Sequence, residues 1–184
     1  GITTMMTDVG MDTGDILLAE KVNIDENMTT GELHDVLSEV GASLIVKTID
    51  KLIAGDLKRI PQDHSVATHA PMIEREQCKI NWSRSAEDIH NLVRGTNPYP
   101  VSFTFLYGER VKIWKTCVLD DNVYEGVKTV SVGTIVGITK SGIDVMTGHG
   151  VIRILELQSS SSKKMSTADY LNGHHIKNGM VFGL

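Results

Sequence analysis

The side chains best placed to do chemistry lie in Asp8-Val-Gly-Met-Asp-Thr-Gly-Asp15, where three carboxylates and two glycines fall within eight residues. A carboxylate held on a loop can move a proton, orient a neighbouring imidazole or bind a cation. Gly10 and Gly14 permit positive φ and a close approach of backbone to a ligand. The aspartates tolerate turns and bond to nearby amides. Composition alone leaves two readings open: a solvated acidic turn, or a loop that presents carboxylates at fixed positions while its amides face a bound molecule. Calcium is a poor fit. An EF-hand loop needs oxygen ligands at its third and twelfth positions, and counting from Asp8 these are Gly10 and Ala19.

The flanking elements must hold that loop. Residues 2–7 and 16–24 read as strands. Thr29-Thr-Gly-Glu32 is a capping box, with Thr29 at the N-cap and Glu32 at the third helical position. Leu33, Val36, Leu37, Val40, Leu44, Ile45, Thr48, Ile49 and Leu52 follow at helical spacing, and Gly55 supplies a stop. The spacing predicts a packing helix of about 24 residues that covers a sheet and carries no chemistry of its own. Residues 56–70, with Pro61 and no periodicity, read as a linker.

A second module follows. Ser85 can cap a short helix whose apolar side is Ala86, Ile89, Leu92 and Val93, and Gly95, Asn97, Pro98 and Pro100 end it. Strands are expected over 101–106, 111–118, 129–139 (interrupted at Gly133), 143–147 and 151–157, with a loop over 159–162. Several short strands with glycine turns argue for a small β-barrel. Ser166-Thr-Ala-Asp169 starts a terminal helix running to about Leu171. On the strand around Trp114, alternation puts Lys112 with Trp114 on one face and Ile113 with Lys115 on the other. Packing is the expected role of Trp82; Trp114 could stack a base, with core or barrel-closing packing the favoured role.

A chain of 184 residues with net charge −5 suits one large or two small domains. No apolar run approaches the roughly 20 residues of a membrane-spanning helix. Cys78 and Cys117 are too few for a disulfide framework, and His174-His175 has no third ligand at useful spacing, so no metal is expected. The charge is unevenly divided. Residues 1–66 carry −7 and residues 67–184 carry +2, as for two modules with different partners.

Residues 1–18, GITTMMTDVGMDTGDILL, resemble the folate-loop region of the 10-formyltetrahydrofolate-dependent formyltransferases. KINWSRSAEDIHNLVRGTNPYPVSF and KKMSTADYLNG resemble the branch of that family that formylates initiator methionyl-tRNA. The resemblance implies a fold: an α/β remnant of a Rossmann-like formyltransferase domain over residues 1–56, a linker over 57–70, and an oligonucleotide-binding-fold-like barrel that binds tRNA over 71–184. It implies that Asp12 is the catalytic carboxylate. It also implies that Asp8, Val9, Gly10, Met11, Thr13 and Gly14 contact the folate, with Asp15 satisfying the loop internally. For Met11, packing under the loop stands as an equal reading.

In that family an Asn and a His complete the catalytic set by donating to the oxyanion of the tetrahedral intermediate, the usual large electrostatic contribution. Their Asn-x-His segment precedes the region matched here. The 184 residues are therefore expected to be inactive alone, and their exposed apolar surface to favour self-association where the complete protein is a monomer. The expected partners are the folate donor and initiator methionyl-tRNA, in the cytoplasm. Arg75, Lys79, Arg84, Arg94, Lys112, Lys115, Lys140, Arg153, Lys163, Lys164 and Lys177 are the candidate phosphate contacts. Two rivals remain: a formyltransferase acting on a sugar or nucleotide amine, and a non-catalytic RNA-binding module.

Overall fold

A computed structural model describes residues 1–124, 130–160 and 162–183. The chain divides into two compact units, Gly1–Met72 and Ile73–Leu184.

In the first unit, strands β1 (Ile2–Met5) and β2 (Ile16–Glu20) pair antiparallel, and helix α1 (Thr30–Ala54) packs on them. The capping box at the start of α1 forms as expected: the Glu32 amide donates to Thr29 Oγ1 and the Thr29 amide to Glu32 Oε2. Gly55, at φ 73°, ends the helix in the left-handed conformation that glycine adopts without steric cost. Thr4 and Thr48 join their hydroxyls at 2.9 Å between sheet and helix, and Thr48 also donates to the Leu44 carbonyl.

The stretch expected as a linker contributes to this unit. Ile16 and Ile60 exchange both backbone hydrogen bonds, adding a third extended segment beside β2. The spacing of Pro61 and its polar neighbours gave no sign of this, because a single β-bridge needs no periodic pattern.

The second unit is built on an antiparallel sheet of strand order β3-β4-β7-β6-β5, with β8 paired to β7. The strands are β3 (Phe103–Leu106), β4 (Glu109–Val118), β5 (Ile135–Thr139), β6 (Gly142–Met146), β7 (Val151–Ser159) and β8 (Met165–Ser166). Helix α2 (Ala86–Gly95) starts at the Ser85 cap, and α3 (Thr167–Gly173) starts at the Ser166 cap. The strand expected over 129–139 forms beyond the interruption expected at Gly133, from Ile135; residue 129 of that expectation, and Ser161 within the loop expected over 159–162, lie outside the described residues. Ser159 closes β7 instead of opening the loop.

Inward-facing Ile113, Ile143, Val145, Ile152, Ile154 and Leu157 form the centre of a single core, with Ile89 and Val93 of α2 packed into it. Trp82 is buried there as expected, stacked on Phe182 and donating its indole N–H to Thr104 Oγ1 at 3.0 Å. The two outer edges of the sheet share one terminal segment. Ile135 donates to Met180, Phe182 donates to Gly133, and Gly183 donates to Phe105 on β3.

One side-chain expectation is corrected. The β4–β7 register slips between Ile113 and Thr116, so Lys115 stands opposite Glu156 while Ile113 faces Leu157 in the core. A bulge inserts one unpaired residue and breaks the period of two. Lys115 is therefore exposed, on the same side as Lys112 and Trp114. Trp114 is half-buried, outside the core, and donates to Gln158 Oε1.

Candidate functional site

The loop between β1 and β2 is held at three levels. At its base, the Met6 amide donates to the Asp15 carbonyl at 2.9 Å. Gly14 sits where a Cβ would overlap the Met6 carbonyl, so the loop closes this tightly only with glycine there. Across it, Gln62 donates its amide to the Asp12 carbonyl at 2.8 Å and to the Gly14 carbonyl at 2.7 Å. At its start, Asp8 Oδ1 accepts the Val9 amide at 2.7 Å, and Thr13 Oγ1 lies 3.4 Å from Asp8 Oδ2.

Asp12 adopts φ 54°, the left-handed region that Asp visits more readily than most side chains. Gln62 fixes the carbonyl of that same residue, so the main chain beneath the carboxylate is set from outside the loop. The Asp12 side chain is exposed, and no hydrogen bond or ion pair to it is found among the described residues. Val9 and Met11 are wholly exposed, which removes packing under the loop as the role of Met11. The loop therefore offers the exposed Asp12 carboxylate and two bare apolar side chains, chemistry that suits a flat heterocycle with polar edges; Asp15 serves the loop through its main-chain carbonyl. The first unit also has a cleft of about 420 Å³ lined by Glu20, Glu39, Val40, Ser43, Leu44 and Lys47, none of them in the loop.

The basic residues are not all equally available. Arg75, Lys79, Arg84, Lys115, Lys140, Lys163, Lys164 and Lys177 are exposed, while Lys112 and Arg94 are half-buried. Arg94 donates from Nε to Asn91 Oδ1. Lys164 pairs with Glu156 at 2.8 Å.

Arg153 is committed internally. Its Nε and Nη2 bind the two oxygens of the fully buried Asp144 at 2.6 and 2.8 Å, and Nη1 reaches Ser141. The Tyr124 hydroxyl donates to the same carboxylate at 2.6 Å. Burial, and then this hydrogen bond to Asp144, push the Tyr124 phenol up to about 12, while Asp144 holds the Arg153 guanidinium above its ordinary range. Gly137 leaves room for this group, since a Cβ there would overlap the Tyr124 hydroxyl.

Two residues escaped sequence reasoning. Gln62 lies 48 and 50 residues from its partners, and no local pattern marks it. Arg110 was not among the candidate cations, yet its guanidinium lies 3.8 Å from the centre of the Phe103 ring. The one Asn-x-His of the chain, Asn172-Gly-His174, belongs to the second unit; His174 stacks on Tyr170 and donates to its carbonyl. Among the described residues, no three His, Cys, Asp or Glu side chains gather as a metal site.

A model of the formyl transferase C-terminal domain matches residues 72–175. Methionyl-tRNA formyltransferase of Acetivibrio thermocellus is 47% identical over 183 residues, and that of Clostridium botulinum is 44% identical over the same length. Both alignments cover 100% of this chain, which spans 58% and 57% of those relatives. Among solved structures, HypX from Aquifex aeolicus in complex with tetrahydrofolic acid aligns with a TM-score of 0.66 at 15% identity, over 92% of this chain and 29% of that one. An N-formyltransferase from Helicobacter canadensis, in complex with folinic acid and dTDP-3-aminofucose, gives 0.60 at 19% identity, over 85% and 54%. Those two likenesses speak for the fold alone. With more than half of its length matched by the domain model, the chain belongs to the formyl transferase family and carries that family's C-terminal domain.

Proposed function

We propose that this chain is part of an enzyme that transfers the formyl group of 10-formyltetrahydrofolate to the amino group of initiator methionyl-tRNA in the cytoplasm. The observation that carries the reading is the unpartnered Asp12 carboxylate on a loop clamped by Gln62. The first unit is read as the C-terminal part of a Rossmann-like formyltransferase domain. The second, with its sheet edges bridged by residues 180–183, is read as an oligonucleotide-binding-fold-like barrel.

Asp12 would orient and charge a neighbouring imidazole or hold a proton-carrying water while the attacking amine loses its proton. Val9 and Met11 would cover the face of the folate ring, and Asp8, Gly10, Thr13 and Gly14 would shape the backbone beside it. The folate supplies the activated one-carbon unit. The initiator tRNA would lie along exposed basic residues of the second unit, Arg153 being spent on Asp144.

The test measures formyl transfer to charged initiator tRNA alongside tRNA binding, using the 184-residue polypeptide. Loss of each oxyanion donor lowers turnover on the order of 100- to 1000-fold. Negligible transfer with salt-sensitive tRNA binding is therefore expected. Ordinary turnover would overturn the need for an Asn and His outside these residues. Transfer to a nucleotide-linked amino sugar in preference to tRNA would overturn the substrate.

A further inference from the structure

Among the described residues, three side-chain cations lie over aromatic rings, and all three belong to one face of the second unit. Arg110 covers Phe103 at 3.8 Å, Lys79 lies 5.5 Å from the Phe105 centroid, and Lys164 lies 5.4 Å from that of Trp114. Register explains the clustering. Phe103 stands opposite Lys112 and Phe105 opposite Arg110 across β3 and β4, while Lys112 stands opposite Gln158 of β7. Thr104, Leu106, Val111 and Ile113 point the other way and are buried. Lys79 joins because the next residue, Ile80, donates its amide to the Phe103 carbonyl.

The rings are already occupied. Phe103 is 9% exposed beneath its guanidinium, and Phe103 and Phe105 meet edge to face at 5.8 Å. Proteins that hold single-stranded nucleic acid offer bare rings on which bases stack. Here each ring instead carries a cation and limits its freedom. Among the described residues no hydrogen bond or ion pair engages the fork of Arg110, which can bind phosphate oxygens in pairs. Of the two carboxylates on these strands, Glu156 is paired with Lys164, and Glu109 stands opposite Leu106 at the far end of the β3–β4 pair.

We propose that the outer face of β3, β4 and β7 grips the phosphate backbone of duplex RNA, with Arg110, Lys79 and Lys112 as its contacts and no base stacked on it. This rests on the reading of the second unit as an RNA-binding module, and it adds Arg110 and the mode of contact.

The experiment titrates the 184-residue chain against unfractionated deacylated tRNA, a duplex hairpin RNA and a 12-nucleotide single strand, each across a range of salt. The triple variant K79Q/R110Q/K112Q is expected to lose affinity for tRNA and hairpin alike. Its log affinity against log salt should flatten by about 3, close to one for each phosphate contact removed. Phe103→Leu, which keeps an apolar side chain under Arg110, should weaken binding a few-fold with the slope unchanged. Circular dichroism of each variant establishes that it is folded.

A triple variant with wild-type affinity and slope overturns the face and leaves the RNA reading standing. A single strand that binds as tightly as the hairpin, or a loss on Phe103→Leu larger than that of the triple variant, overturns the backbone-only mode. No binding of any RNA by the unaltered chain overturns both.

Discussion

In the second unit, Ile113, Ile135, Ile143, Val145, Ile152, Ile154 and Leu157 are wholly shielded from solvent. In the first, the buried apolar side chains are Leu17 and Leu44, while Ile45, Val46, Ile49, Leu52 and Ile53 of α1 remain exposed. The loop proposed to carry the chemistry therefore stands on the part of the chain that buries least. What holds it is local: the Met6–Asp15 bond, the Gln62 clamp and the Thr4–Thr48 pair. The basic face, by contrast, rests on a packed core. Placement of the carboxylate thus depends on hydrogen bonds, and placement of the cations depends on burial.

The widest separation between the units is expected in hydrogen exchange, which ranks amides by local opening. Amides of β4 and β7 should exchange only at the global limit, and those of β1, β2 and α1 orders of magnitude sooner. Equal protection in both would break the comparison.

Next comes Arg153→Ala, which strands the buried Asp144 charge and should cost the second unit about 3–5 kcal/mol in urea unfolding. Its RNA-binding slope should stay at the wild-type value. A slope lower by about one with unchanged stability would return Arg153 to the phosphate contacts.

Gln62→Ala removes two hydrogen bonds, each worth about 0.5–1.5 kcal/mol. Faster exchange of the Met6 and Ile16 amides is expected, with β4 and β7 unaffected. Protection that spreads into the second unit would contradict the local character of the clamp.

The smallest effect concerns Tyr124. Its phenol is raised in the fold to about 12 from an ordinary value of roughly 10. The protonated form is the one the fold favours, so its contribution is complete below roughly pH 10 and falls away as pH rises toward 12. The urea midpoint of the second unit should drop over that window, and less so in Tyr124→Phe. An identical drop in both would remove Tyr124 as its source.

Much of this architecture is legible in the sequence because it depends on neighbours in the chain. Thr29 and Glu32 are three residues apart, Ser85 caps within its own turn, and Gly55 ends the helix by its own φ. The glycine and aspartate spacing of the Asp12 loop is local too, so the loop stands out in the sequence, while composition alone leaves a solvated turn and a binding loop both open. The parts that could not be read depend on register between distant segments. The bulge beside Trp114 moves Lys115 to the other face, and nothing within β4 announces it. Arg110 meets Phe103 on a cross-strand diagonal, and Arg153 meets Asp144 on the neighbouring strand. Charge counts cannot tell a cation facing solvent from one spent on a buried carboxylate.

The bridging segment Met180–Gly183 has a consequence for biosynthesis. Every strand of the second unit precedes it in the chain, so during vectorial synthesis all of them leave the ribosome before the piece that joins Ile135 to Phe105 is available. Until then the nascent sheet presents two unsealed edges, and its safety against pairing with other chains rests on how soon those few residues follow.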